Sequence, residues 1–129
     1  MFIKAFKMDG LGNDFVIIDN REKITNLTKG QIVKICDRNF IGCDQLILIK
    51  PDKEADAYLK FFNSDGGESG ACGNGTRCVA DLISKETDKK TVFLKTFIPS
   101  ISWSPYWSTE PSTLPLRTLY AIFYPLIHK

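Results

Sequence analysis

The sequence holds a single histidine, His128, next to its last residue. With no other imidazole available, a metal site would have to rest on cysteine. The four cysteines, Cys36, Cys43, Cys72 and Cys78, are poorly spaced for that. Thiolate zinc sites favour pairs about two to four residues apart, whereas the gaps here hold six and five residues. No metal and no other cofactor is expected. An excess of charge of one sign is missing too. The net charge is +2 and evenly dispersed, which offers no electrostatic footprint for nucleic acid or for an anionic membrane. No apolar run approaches the ~20 residues of a membrane-spanning helix. The opening residues, from Met1 to Gly10, contain neither a continuous apolar core nor the small-residue cleavage site of a secretory signal. The expected compartment is the cytoplasm, where thiols stay reduced. The cysteines are therefore expected to be buried thiols or a reactive one, not disulfides.

What is present is a globular composition, 43% hydrophobic and 25% charged, which suffices for one compact domain. Residues 2–7 and 14–19 read as short strands around the turn Gly10-Leu-Gly-Asn-Asp14. Thr28 followed by Gln31 fits a capping box, and Ile32, Val33, Ile35 and Cys36 supply an apolar face, so a helix is predicted near 28–38. Residues 45–50 and 57–62 read as a hairpin pair. A glycine-rich loop follows, then a helix over about 74–85 carried by Val79, Ala80, Leu82 and Ile83, and a strand at 90–95.

The character changes abruptly after that. Residues 96–129 hold five of the six prolines, both tryptophans, three of the four tyrosines and only three charged residues, Glu110, Arg117 and Lys129. No strand or helix period persists from Pro99 to Pro115. The expectation is a poorly ordered segment, with a linker plus one strand or a short helix as the alternative.

The most informative stretch is Ala71-Cys-Gly-Asn-Gly-Thr-Arg77. It places Cys72 at the start of a predicted helix, between glycines. A helix N-terminus presents unpaired N–H groups and the positive end of the dipole, which favours a thiolate there. The same N–H groups suit a carboxylate, and glycines let the backbone come close to it. A thiol base beside a carboxylate nest fits proton abstraction at the carbon next to a carboxylate. A buried cysteine after an ordinary turn is the plain structural alternative, and the local pattern leaves both open. Cys78 falls on the apolar stripe of the helix and Cys36 on that of the first one, so both are expected in the core. Cys43 lies in a turn and fits either role, the burial habit of free cysteine favouring the structural one.

Four segments together resemble one family. Lys7-Met-Asp-Gly-Leu-Gly-Asn-Asp-Phe15, Gly42-Cys-Asp-Gln45, Phe62-Asn-Ser-Asp-Gly66 and Ala71-Cys-Gly-Asn-Gly-Thr-Arg-Cys78 look like the motifs of diaminopimelate epimerases, in order and spacing. The resemblance implies an α/β (α+β) half-domain, a mostly antiparallel sheet around a central helix. It implies a cofactor-independent reaction on a small amino-acid substrate, interconverting LL- and meso-diaminopimelate for lysine and cell-wall synthesis. One thiolate takes the α-proton from one face while a thiol on the other face returns one. Cys72 would be one of these two groups. Asn13, Gln45 and Asn63 would hydrogen-bond the substrate, and Gly73 and Asn74 would bind its carboxylate through their N–H groups. Read without the resemblance, Asn13 and Asn63 are ordinary turn residues and Gln45 a strand end. Departures are minor: Asp9 where the family often has His, and Cys43 at a usually small position. A related amino-acid racemase or isomerase of the same fold and a non-catalytic remnant are the rival readings. Whether the chain forms a homodimer stays open.

The resemblance covers residues 1 to about 95, and members of the family run to about twice this length. The expected division is a family unit at 1–96 and a Pro/Ser/aromatic-rich tail at 97–129 outside the family pattern. No cysteine follows Cys78, so the opposing thiol is missing and the chain is expected to be truncated and inactive. A shifted reading frame beyond Lys95 accounts for the change of character. It predicts that another frame of the same DNA encodes a second half; translation of both other frames without finding one would refute it.

Overall fold

The computed structural model describes residues 2–70, 72–96, 107–108 and 117–125. Strands β1 (Phe2–Gly10) and β2 (Asn13–Asp19) form an antiparallel hairpin. Its two-residue turn places Leu11 at φ 54° and Gly12 at φ 86°. Two successive left-handed residues make the mirror-image turn whose twist matches that of the flanking strands. Helix α1 (Lys29–Cys36) begins with the expected capping box, Gln31 N–H donating to Thr28 Oγ1 at 3.2 Å and Thr28 N–H to Gln31 Oε1 at 2.9 Å. Strand β3 (Gln45–Lys50) then joins β2 in parallel, and β4 (Ala57–Asn63) returns antiparallel to β3.

Beyond β4 come the short β5 (Glu68–Ser69), helix α2 (Gly73–Thr87), β6 (Thr91–Val92), β7 (Leu94–Thr96), β8 (Trp107–Ser108) and β9 (Arg117–Pro125). The main sheet has the order β5-β4-β3-β2-β1-β9, and β7 lies parallel to the first half of β4. Most of its pairings are antiparallel, as expected; β2–β3 and β4–β7 are the parallel ones. β6 and β8 pair separately. Residues 117–125 thus take the strand that the sequence allowed as one alternative for the tail, while 97–106, 109–116 and 126–129 lie outside the described residues.

One expectation needs correction. The single strand predicted at 90–95 is two short strands, at 91–92 and 94–96, interrupted at Phe93. The Phe93 N–H donates to the Asp56 carboxylate at 2.8 Å, while its carbonyl accepts from Asp56 N–H at 2.9 Å. A side chain from another loop has replaced a strand neighbour, which local pattern does not reveal.

The sheet is covered on both faces. Phe15, Ile17, Ile47, Ile49, Ala57, Leu59 and Phe61 pack with Cys78, Val79, Ala80 and Ile83 of α2. Val16, Ile18, Leu46 and Leu48 face the other way, against Ile32 and Cys36 of α1. This is why β2 and β3 read as unbroken apolar runs, whereas β4 alternates.

Gly75 sets how closely α2 approaches. A Cβ there would stand 2.7 Å from Ile47 Cδ1, 3.1 Å from Phe61 Cε1 and 3.2 Å from Phe15 Cε1. A glycine inside a helix costs roughly 0.5–1 kcal/mol relative to alanine, and the close seating of the first turn offsets it. Gly75→Val is therefore expected to lose about 1–3 kcal/mol through overpacking. Urea unfolding checks this; an unchanged midpoint would show that the helix start has room to spare.

Candidate active site

The sheet topology gathers residues far apart in sequence. β2 and β3 run parallel and β4 returns, so the start of β2, the start of β3 and the end of β4 share one end of the sheet. Asn13, Gln45 and Asn63 occupy those three positions, with Gln45 and Asn63 directly paired in register. The first turn of α2 reaches the same end. Asn74 Nδ2 donates to Asn13 Oδ1 at 3.1 Å, across 61 residues of chain, and Gln45 Nε2 donates to Asn63 Oδ1 at 2.9 Å. The three amide side chains expected to meet a ligand therefore stand in two pairs, the side chain of Asn74 completing the one with Asn13.

Cys72 is the N-cap of α2, in extended conformation at φ −145°. Its side chain makes no capping hydrogen bond, so among the described residues the sulfur is uncommitted. Its carbonyl is held by Thr76, whose N–H and Oγ1 both donate to it, at 2.9 Å and 2.8 Å. The thiol is half-buried and packs against the α2 side of the core. Next to it Gly73 is exposed, and a Cβ there would meet nothing within 4 Å. The backbone is thus open on the side of Gly73, and the first-turn N–H groups of a helix suit an anionic group of a ligand.

The other three thiols are buried, as expected. Burial, with the Asp81 carboxylate nearby, pushes the Cys78 thiol up to about 12. Cys43 joins Cys36 on the α1 face, their sulfurs 3.4 Å apart. Cys72 is the accessible thiol of the four. Among the described residues no three His, Cys, Asp or Glu side chains are grouped to hold a metal ion, and no helix is long and apolar enough to cross a membrane.

A charged clamp that the sequence reading missed fixes the strand starts. The Asp14 carboxylate accepts from Arg38 Nη1 at 2.5 Å and Nη2 at 2.8 Å, and from Lys7 Nζ at 2.5 Å. Lys7 Nζ also donates to the Gly42 carbonyl. Arg38 reaches on to Asp44 Oδ1 at 2.9 Å. Asp14 and Asp44 exchange bonds as well: Asp14 N–H donates to Asp44 Oδ2 at 3.0 Å and Asp44 N–H to Asp14 Oδ1 at 2.9 Å. Asp14 follows Asn13 and Asp44 precedes Gln45, so the clamp holds the backbone beside two of the candidate ligands. The one sequence signal for it was an acid next to each amide.

The fold is similar to that of several solved structures. A Bacillus anthracis phenazine biosynthesis protein of the PhzF family superposes with a TM-score of 0.56 at 21% identity, covering 75% of this chain and 33% of that one. A hydroxyproline epimerase from Agrobacterium vitis gives 0.54 at 14% identity, covering 74% and 34%. These likenesses define the fold, a mixed α/β architecture shared with these proteins. Sequence narrows the class. The diaminopimelate epimerase family model matches residues 5–97. The diaminopimelate epimerase of Pelagibacter ubique (strain HTCC1062) is 74% identical over 96 residues, covering 74% of this chain and 35% of the relative. That of Phenylobacterium zucineum (strain HLK1) is 48% identical over 91 residues, covering 70% and 33%. The chain belongs to the diaminopimelate epimerase family, whose members are isomerases, and it spans about a third of the length of these curated relatives.

The clamp has a consequence for acid stability. Burial alone would raise the Asp14 carboxyl, but the hydrogen bonds from Arg38 and Lys7 and from the Asp44 backbone outweigh it and hold the group well below the usual carboxylate range. A depressed carboxyl contributes stability above its unfolded pKa of about 3.9 and loses it as pH falls through the folded value. Arg38 is solvent-exposed, so screening limits the effect. Asp14→Asn is expected to cost about 1–2 kcal/mol at neutral pH. The gap from the parent should shrink as pH falls below about 4. Denaturant titrations of both chains across that range check this; a pH-independent gap would remove Asp14 from the account.

Proposed function

We propose that this chain carries one side of a diaminopimelate epimerase site, with Cys72 as one of its two proton-transferring thiols. The observation that carries the reading is an accessible, uncommitted thiol at the start of α2, at the sheet end where Asn13, Gln45, Asn63 and Asn74 converge. The extent of identity to diaminopimelate epimerases supports diaminopimelate as substrate over the substrates of more distant isomerases.

In this reading the N–H groups of Gly73 and Asn74 hold the substrate carboxylate. Amides both donate and accept, so Asn13, Gln45 and Asn63 match the ammonium and carboxylate ends of an amino acid. The Cys72 thiolate removes the α-proton, and the charge left on carbon spreads into the carboxylate, where the fixed N–H donors stabilise it. Inversion then needs an acid on the opposite face. No cysteine follows Cys78, and Cys36, Cys43 and Cys78 are buried. In this reading none of these three is the second thiol. By the same reading, residues 1–96 are the family unit and 97–129 lie outside it, a division supported by the family match ending at residue 97. Without an acid on the opposite face, Cys72 exchanges the α-proton without completing epimerisation.

Incubation of the purified chain with LL- and with meso-diaminopimelate in D₂O, following α-deuterium and stereochemistry together, tests this. The expected result is deuterium uptake with retention, reduced by about 10²-fold or more in Cys72→Ser. Inversion by the chain alone would overturn the half-site reading. A folded chain that takes up no deuterium would be the non-catalytic remnant instead.

A further inference from the structure

Cys36 ends α1 and Cys43 lies in the segment leading to β3, on the face of the sheet opposite to α2. The Cys43 thiol donates to Cys36 Sγ at 3.4 Å, and both residues are nearly fully buried, at 2% and 3% exposure. The backbone already closes this loop. Cys43 N–H donates to the Cys36 carbonyl at 3.2 Å, and Gly42 N–H donates to the Ile35 carbonyl at 3.0 Å. The two sulfurs are therefore brought together by main-chain bonds at the cysteines and at the residues preceding them. Neither thiol has a part in the proton-transfer scheme.

We propose that Cys36 and Cys43 form a redox-active dithiol, a modification site that a small peroxide converts into an intramolecular disulfide. Cys36, as thiolate, attacks one oxygen of hydrogen peroxide; the O–O bond breaks, hydroxide leaves and takes up a proton, and a sulfenic acid remains. Cys43 then attacks that sulfur as its own proton leaves, the S–O bond breaks, and water departs. In sum two thiols and one peroxide give one disulfide and two waters. The sulfurs need to approach from 3.4 Å to a bonding distance of about 2.0 Å, a movement within reach of side-chain torsion. The division of roles follows the surroundings. The hydrogen bond from Cys43 lowers the Cys36 thiol against the opposing effect of burial, aided by Lys7 and Arg38, whereas that bond and burial raise Cys43. Burial excludes bulky thiol reagents and leaves a small oxidant as the effective one. The disulfide would tie the end of α1 to the start of β3, the segment that carries Arg38 and Asp44 of the charged clamp.

This inference does not depend on the epimerase reading, because its readout is a covalent link and not turnover. The folded full-length chain is treated with hydrogen peroxide, alkylated, and digested with trypsin without reduction. Cleavage after Lys34 and Arg38 separates the two cysteines, giving peptides 35–38 and 39–53, Pro51 preventing cleavage after Lys50. The expected product is these two peptides joined, lighter by two hydrogens than their sum and separated by dithiothreitol, with two of the four thiols lost to the link. Cys43→Ala should abolish the joined species without creating a link from Cys36 to Cys72 or Cys78. Recovery of Cys36 and Cys43 as free thiols from a parent chain whose Cys72 has been fully oxidised would overturn the proposal. So would joined peptides that appear only after the chain is unfolded in urea.

Discussion

The structure depends on how closely the first turn of α2 can approach the sheet. Gly75 lets the helix backbone rest against Ile47, Phe61 and Phe15, one side chain from each of the three strands that form the middle of the sheet. Apolar burial drives the contact, and close packing makes it unforgiving of an extra carbon. The same contact sets where the start of the helix lies, and with it Cys72, Gly73 and Asn74. A core constraint and a candidate ligand site are therefore one geometrical fact.

The opposite face holds the sheet end differently. There a charged network is added to the apolar packing against α1. Asp14, caught between Lys7 and Arg38, and Asp44, exchanging backbone bonds with Asp14, bring the starts of β2 and β3 into register. An isolated surface ion pair contributes little. This group is a network with backbone donors in it, and its central carboxylate is only one-fifth exposed. Asn13 and Gln45 are thus placed by neighbours in sequence that are themselves bonded across the chain.

Much of this could be read in advance, and the failures have definite causes. The capping box at Thr28 and Gln31 is a local device, and α1 starts where it predicts. The hairpin of residues 45–50 with 57–62 follows from apolar runs flanking a polar turn. Its register, which sets Gln45 against Asn63, needed the fold. The strand at 90–95 failed because its break at Phe93 is made by Asp56, a partner 37 residues away. The clamp was missed for a similar reason: Lys7 and Asp14 on strands and Arg38 and Asp44 on the connection before β3 carry no common spacing, and charged residues ordinarily face water.

The sequence by itself determined which residue types were available: a cysteine set among glycines before a helix, amides at two turns, a strand end and a helix start, and a single histidine far from them at position 128. Those are properties of local pattern, because helix starts, turns and apolar periods depend on neighbours within a few residues. Only the tertiary structure decided that Asn13 meets Asn74, that Gln45 meets Asn63, and that Cys36 and Cys43 lie in contact on the side of the sheet away from α2. Those pairings follow from strand direction, register and the depth at which α2 is seated, and these are set by packing across the whole sheet.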